Sequence, residues 1–179
     1  MDLVEFSALS RRRQSCRSYS GQPVSRDVLE QIINAALCAP SARNCQPYKL
    51  YALTGKTAKQ ASEFTRLPGM NQFTADCPAF IVVVEDTSGI EKAMLKRFLK
   101  MQFVPIDIGL VTAHLVLAAT AAGVDTCILG GFREEGLSIL LGLGGRDSIK
   151  LVIAAGYATE NYELRKKDRR KPKPVWFLE

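Results

Sequence analysis

The chain has 179 residues, 47% hydrophobic and 23% charged, with a formal net charge of +6. That length suits one domain of about 100–200 residues with a substantial core, and the composition excludes a wholly disordered or fibrous chain. No uninterrupted apolar stretch reaches the ~18 residues of a membrane span, so no membrane helix is expected.

The positive charge is concentrated near the two ends. Residues 165–173 (RKKDRRKPK) carry +6 and residues 11–17 (RRRQSCR) carry +4, which leaves the rest of the chain mildly acidic. A generic polyanion binder spreads its charge over a face. Two compact clusters are suited to meet around something small and anionic, such as a phosphate. On charge alone, a solvated basic tail beside a charged first helix is the alternative. The opening MDLVEFSALS has two acids and no apolar signal core. The five cysteines form no C-x-x-C pair, and His114 is the single histidine, so no metal site of recognised spacing can be assembled. Reduced thiols in the cytoplasm are the expected state.

In chain order, residues 3–14 read as a first helix. Ser25 is a candidate N-cap for a second, in which Val28, Leu29, Ile32, Ile33, Ala36 and Leu37 recur at helical spacing as far as residue 39. Pro40 stops it, and residues 40–47 (PSARNCQP) read as a polar loop bounded by prolines. Residues 48–53 form a strand and 57–64 a helix. The uniformly apolar run 79–85 (AFIVVVE) predicts a central strand buried on both faces. A helix over 90–100 precedes a long apolar helix opened by Pro105 and closed near Gly123. A short strand over 126–129, a Gly130-Gly131 turn, a helix over 134–141 and a last core strand over 150–157 follow. Residues 158–179 read as an extended arm ending in an apolar anchor at 175–178, which calls for a partner surface.

Familiar motifs are absent. Gly55-Lys56-Thr57 lacks the first glycine of a P-loop, because Leu50 stands there. The glycines at 142–145 follow a helix rather than a strand, unlike a dinucleotide fingerprint. His114 lies inside an apolar helix and reads as a partly packed side chain. No acid–base or nucleophilic constellation can be built without it, so no catalytic side chain is assigned. Three segments carry chemistry. Arg13-Gln14-Ser15-Cys16-Arg17 offers two guanidiniums, an amide and a hydroxyl to a phosphate. Ser41, Asn44 and Gln46 offer donors and acceptors to the edge of a heteroaromatic ring. Ile128-Leu129-Gly130-Gly131 has paired glycines that let backbone approach a flat ligand. Singly, each also reads as a helix end, a loop or a turn.

In this order the segments resemble the nitroreductase family of FMN flavoproteins. RRRQSCRSY resembles the family's opening R-x-S-x-[RK] element, and APSARNCQPY its A-P-S-x-x-N-x-Q-P-[WY] motif. IDIGLVTAHLVLAATAAGVDTCILGGF resembles its long helix and strand-turn, and GYATEN with the basic tail and Pro172 its closing segment. The resemblance implies an α+β fold, a mixed sheet flanked by helices, and an intertwined homodimer with FMN at the interface. It assigns Arg13, Gln14, Ser15 and Arg17 to the phosphate and ribityl end, with Arg169 or Arg170 closing from the tail. It assigns Pro40, Ser41, Ala42, Asn44 and Gln46 to the flavin of the other subunit. Asn71 would reach the pyrimidine side, and Leu129, Gly130 and Gly131 would offer N–H groups near N5 and O4. Two departures are visible: Gln14 stands where the family often has Arg or His, and Gly130 where some members have Glu. Cys45, inside the loop, reads as a small filler.

The implied activity is reduction of nitroaromatic, quinone or flavin acceptors. NADH or NADPH would deliver hydride to flavin N5, and the acceptor would then take the same place, giving ping-pong kinetics. Dehalogenation, azoline oxidation or flavin breakdown on the same fold is the alternative chemistry. A small basic nucleic-acid-binding protein is the non-enzyme alternative; its discriminators are lack of colour and steep salt dependence on DNA. Acceptor choice is expected to lie in residues 64–72 and 90–104.

Overall fold

The computed structural model describes residues 1–144 and 147–165. Arg169, Arg170, Pro172 and the anchor at 175–178 lie outside the described residues. The chain opens with α1 (Leu3–Arg12) and α2 (Arg26–Ala36), then β1 (Tyr48–Thr54), α3 (Gly55–Thr65) and β2 (Ala79–Glu85). It continues through α4 (Lys92–Lys100), α5 (Phe103–Ala121), β3 (Asp125–Leu129), α6 (Glu134–Leu141) and β4 (Ser148–Gly156). Short 3-10 turns at Ala42–Asn44 and Gln72–Asp76 lie between them.

The strands pair in the order β1-β2-β4-β3, each pair antiparallel. Among the described residues the parallel component is a single bridge between Ser15 and Thr126. β2 is buried along nearly its whole length, as its unbroken apolar run predicts. Its alternate residues supply two separate cores. Ala79, Ile81 and Val83 pack with Ile153 and Ala155 against Leu29 and Ile32 of α2 and Ile108, Val111 and Leu115 of α5. Phe80, Val82 and Val84 pack with Val152 and Ala154 against Ala58 and Ala61 of α3 and Leu137 of α6. The sheet is therefore covered by helices on both faces.

Tertiary pairing shifts several boundaries. α1 stops at Arg12 rather than at residue 14, because Arg13 turns to extended backbone (φ −59°, ψ 116°) and the chain then runs beside β3. α2 ends at Ala36; the amides of Cys38 and Ala39 bond the carbonyls of Ala35 and Ala36, a tightened last turn before Pro40. Ile90 is buried ahead of α4 and is not part of it.

By length and composition α5 is apolar enough to cross a membrane. One side, including Val104, Ile108, Val111 and Leu115, is packed into the core. The other exposes Ile106, Gly109 and Ala113. α1 itself has no buried residue, and Leu3 and Val4 are 78% and 73% exposed. The Arg12 guanidinium donates to the Thr120 carbonyl and pins α1 to α5.

α3 and α6 approach so closely that a Cβ on Gly136 would stand 2.3 Å from the Phe64 ring. Gly136→Ala is expected to lower stability by about 1–3 kcal/mol, the cost of overpacking. The shift in urea midpoint at unchanged m-value checks it.

Candidate functional site

The N-terminal basic cluster is stitched to β3. Cys16 donates its amide to the Thr126 carbonyl at 2.9 Å, and Ser15 bridges Thr126. The start of the C-terminal segment then returns to the same place. The Tyr162 hydroxyl and an Arg165 guanidinium nitrogen donate to the Ser15 carbonyl at 3.1 and 2.8 Å. The Arg165 amide donates to Gln14 Oε1 at 3.2 Å, while Gln14 Nε2 is buried with no partner among the described residues. Burial pushes the pKa of the Cys127 thiol up, against the opposing pull of the Arg17 guanidinium, the Ser15 hydroxyl and the Arg165 and Arg13 guanidiniums. The first residue of the tail cluster thus meets the N-terminal cluster. Tyr162 was not singled out in the sequence, and Arg165 was read only as part of the tail cluster, in which Arg169 or Arg170 was assigned to the phosphate.

Two residues beyond Cys127 the chain reaches Leu129, Gly130 and Gly131. Leu129 is buried and Gly130 exposed. A Cβ at Gly130 would meet nothing within 4 Å, so the backbone there faces open space. Asn71, in the left-handed region at φ 57°, donates its side-chain amide to the Gly131 carbonyl at 2.9 Å and to the Thr65 carbonyl at 3.2 Å. Asn71 therefore belongs to this turn, and it holds the turn through its amide nitrogen.

The loop at 40–47 is exposed yet internally fixed. The Gln46 amide donates to Ser41 Oγ at 3.0 Å, and Gln46 Nε2 donates to Asn44 Oδ1 at 3.1 Å. Arg43, Asn44 and Gln46 all sit at positive φ, 53°, 56° and 45°. Non-glycine residues rarely adopt that region, and three within four positions need outside support. Asp107 supplies it. The Ala42 amide donates to both Asp107 carboxylate oxygens at 3.1 Å, and Asp107 is 2% exposed. Burial raises the Asp107 pKa and the Ala42 N–H opposes that rise. The Tyr48 hydroxyl is buried near the same carboxylate, and burial pushes its pKa up too. Asp107 is the one charged residue in the apolar run 103–121. A lone carboxylate in such a helix needs a polar partner, and that signal was readable. Pro40 is exposed at the loop's entrance, and Cys45 is half-buried against the core as a filler.

These pieces lie at opposite edges of the sheet. The loop leads into β1, at one edge of the sheet. The basic cluster and the glycine turn lie at β3, the other edge. Three strand spacings separate them, about 14 Å. His114 is half-buried, with Nδ1 3.0 Å from the Leu110 carbonyl, and belongs to neither piece. Arg169 and Arg170 fall outside the described residues.

The Nitroreductase family model matches residues 10–67 and 56–157. A protein of Archaeoglobus fulgidus, provisionally named NADH dehydrogenase/NAD(P)H nitroreductase, is 29% identical over 164 residues, 88% of each chain. Among solved structures, a nitroreductase family protein from Streptococcus pneumoniae superposes with a TM-score of 0.77 at 21% identity, covering 92% of this chain and 96% of that one. An FMN-dependent nitroreductase from Clostridium difficile gives 0.70 at 20% identity, covering 88% and 90%. The α+β fold with helices on both faces of the sheet is shared with these structures. The chain belongs to the nitroreductase family.

Asp107→Leu is expected to free the Ala42 amide. Its native-state hydrogen exchange should speed at least about tenfold, the loss of one hydrogen bond to a charged group, with β2 amides unchanged. A pH effect accompanies it. Because the folded pKa is raised, the native state binds more proton than the unfolded state between the two pKa values. Wild-type stability therefore falls as pH rises through the raised value, and Asp107→Asn removes that slope. Urea melts from pH ~4 to ~7 check the sign.

Proposed function

We propose that the chain is an FMN-dependent NAD(P)H oxidoreductase that works as a homodimer and reduces nitroaromatic, quinone or flavin acceptors. The convergence of Arg13, Arg17, Arg165 and Ser15 beside the Gly130-Gly131 turn carries this reading. Three guanidiniums and a hydroxyl suit a phosphate monoester. The unpartnered Gln14 Nε2 adds a donor, and the open space at Gly130 admits a flat ring at backbone distance. These features fit FMN. When bound, the flavin supplies hydride transfer from a nicotinamide donor and onward to the acceptor.

The chain's own residues then divide the remaining work. Arg13, Arg17 and Arg165 would hold the phosphate, and Ser15 the adjoining ribityl oxygen. The Gly130 and Gly131 N–H groups would face the reacting edge of the ring and favour negative charge there. The Asn71 amide nitrogen is committed to the turn, which leaves its oxygen as an acceptor for the ring's pyrimidine N–H. Ser41, Asn44 and Gln46 would close over the ring from the second subunit. Two observations support the dimer. The loop and the basic cluster lie on opposite sheet edges of one chain, and the outer face of α5 with α1 is an uncovered apolar surface. The same clustering of charge disfavours nucleic-acid binding, which draws on a spread basic face.

Anaerobic addition of NADPH or NADH to the purified yellow protein should bleach the flavin band near ~450 nm within turnover time. A band that persists with both donors contradicts the reductase reading. Arg13→Ala with Arg17→Ala should weaken FMN retention about 100-fold or more, while Lys171→Ala with Lys173→Ala changes it less than about threefold. Equal losses return the charge to a diffuse role.

A further inference from the structure

Residues 41–46 hold a shape that their own sequence does not favour. Asn44 is of a type that tolerates the left-handed region, but Arg43 and Gln46 are kept there against steric strain. The loop's own hydrogen bonds close on itself. The Asn44 and Cys45 amides donate to the Ser41 and Ala42 carbonyls at 2.9 and 3.1 Å, and the Gln46 amide and Nε2 donate to Ser41 Oγ and Asn44 Oδ1. Such bonds link these residues to one another and leave them free to tilt as a unit. Among the described residues, the hydrogen bond that ties residues 41–46 to a helix is the one from the Ala42 amide to Asp107 of α5.

That tie is made by a group that is costly to bury. Both Asp107 oxygens share a single N–H. The titratable group near it is the Tyr48 hydroxyl of β1, buried and without a hydrogen-bond partner among the described residues. No cation of the loop, α1, α2 or α4 offsets its charge among the described residues. His114, two turns further along α5, is engaged with the Leu110 carbonyl instead. A neutral side chain would be less costly to bury at this place. The ionised carboxylate adds strength to one hydrogen bond, because a charged acceptor makes it roughly twice as strong as a neutral one. The backbone held by that bond carries Ser41, Asn44 and Gln46, the residues that would close over the ring.

We propose that Asp107 is a positioning residue for the flavin site: its ionised carboxylate, acting through the Ala42 amide, holds the 41–46 loop in the shape that retains FMN, and its protonation loosens that hold. The inference rests on the reductase reading above and goes beyond it by naming a residue that never touches the flavin and a proton that controls its retention. Asp107 is 2% exposed, so it acts on the ligand through the loop alone.

The test follows FMN release from the loaded protein by flavin fluorescence between pH ~4 and ~7, with urea melts on the same samples. At pH ~7, Asp107→Asn keeps an acceptor without the charge and should release FMN about tenfold faster than wild type, and Asp107→Leu about 100-fold faster. Wild-type release should quicken as pH falls through the raised Asp107 pKa, because the protonated carboxyl is the weaker acceptor. The FMN phosphate also gains a proton near pH ~6, in wild type and variant alike. Asp107→Asn should keep that shared change and lack the rest. Tyr48→Phe removes the neighbouring hydroxyl without touching the Ala42 bond and should alter release less than about threefold. Release from Asp107→Leu at the wild-type rate, or one pH profile for wild type and Asp107→Asn, overturns the proposal. So does a urea midpoint that falls in step with retention across the variants, the mark of a merely structural carboxylate. If Asp107→Leu does not fold, the two pH profiles decide. A wild type that holds FMN and is bleached by a nicotinamide donor leaves the reductase reading standing through any of these results. A wild type that holds no FMN defeats that reading instead.

Discussion

Burial of β2 and β4 on both faces is the constraint on which the rest depends. Phe80, Ile81, Val82 and Val83 are each at most 1% exposed, and Val152, Ile153 and Ala154 are fully buried. With these strands in the middle, β1 and β3 become the edges. The loop at 40–47 is attached to one edge, and the basic cluster with the glycine turn to the other. The sheet sets the spacing of the two halves of the proposed site.

Each half is then fixed by a small number of polar contacts. On the β3 side, Arg165 and Tyr162 tie the C-terminal segment to Gln14 and Ser15, which brings Arg165 to the segment that carries Arg13 and Arg17. On the proposed reading a bound phosphate would draw on these cations. On the β1 side, one carboxylate holds a loop with three left-handed residues. Asp107 is costly to bury, and it is retained where it stabilises a strained backbone. On the proposed reading both devices preorganise groups for a ligand.

Much of the fold was legible in the sequence because it rests on local pattern. The unbroken apolar run at 79–85, the 3.6-residue spacing at 28–36 and the capping Ser25 each specify their element without reference to the rest. What was not legible depends on partners distant in sequence. Arg13 leaves the helix because β3 offers it a neighbour. The order β1-β2-β4-β3 places last a strand that precedes β4, which no local pattern encodes. In the candidate site, three segments were singled out by residue type and spacing; the bond from Asn71 to the Gly131 carbonyl was not foreseen, since the resemblance gave Asn71 only a flavin contact. Asp107 was missed, although a lone charge in an apolar helix is a local signal that could have found it. Arg165 was hidden in a run of similar charges, where composition alone does not distinguish the member that folds back.

The central claim is that a working site is divided between two copies. It is tested most directly by FMN stoichiometry in a mixed dimer. One chain would carry Arg13→Ala and Arg17→Ala, the other Asn44→Ala and Gln46→Ala, purified as the heterodimer through different tags. A divided site predicts one intact pocket per heterodimer, holding FMN with wild-type affinity, although each parent homodimer binds weakly at both. A heterodimer that binds FMN no better than its parents would contradict it, because a site built within one chain leaves neither pocket intact.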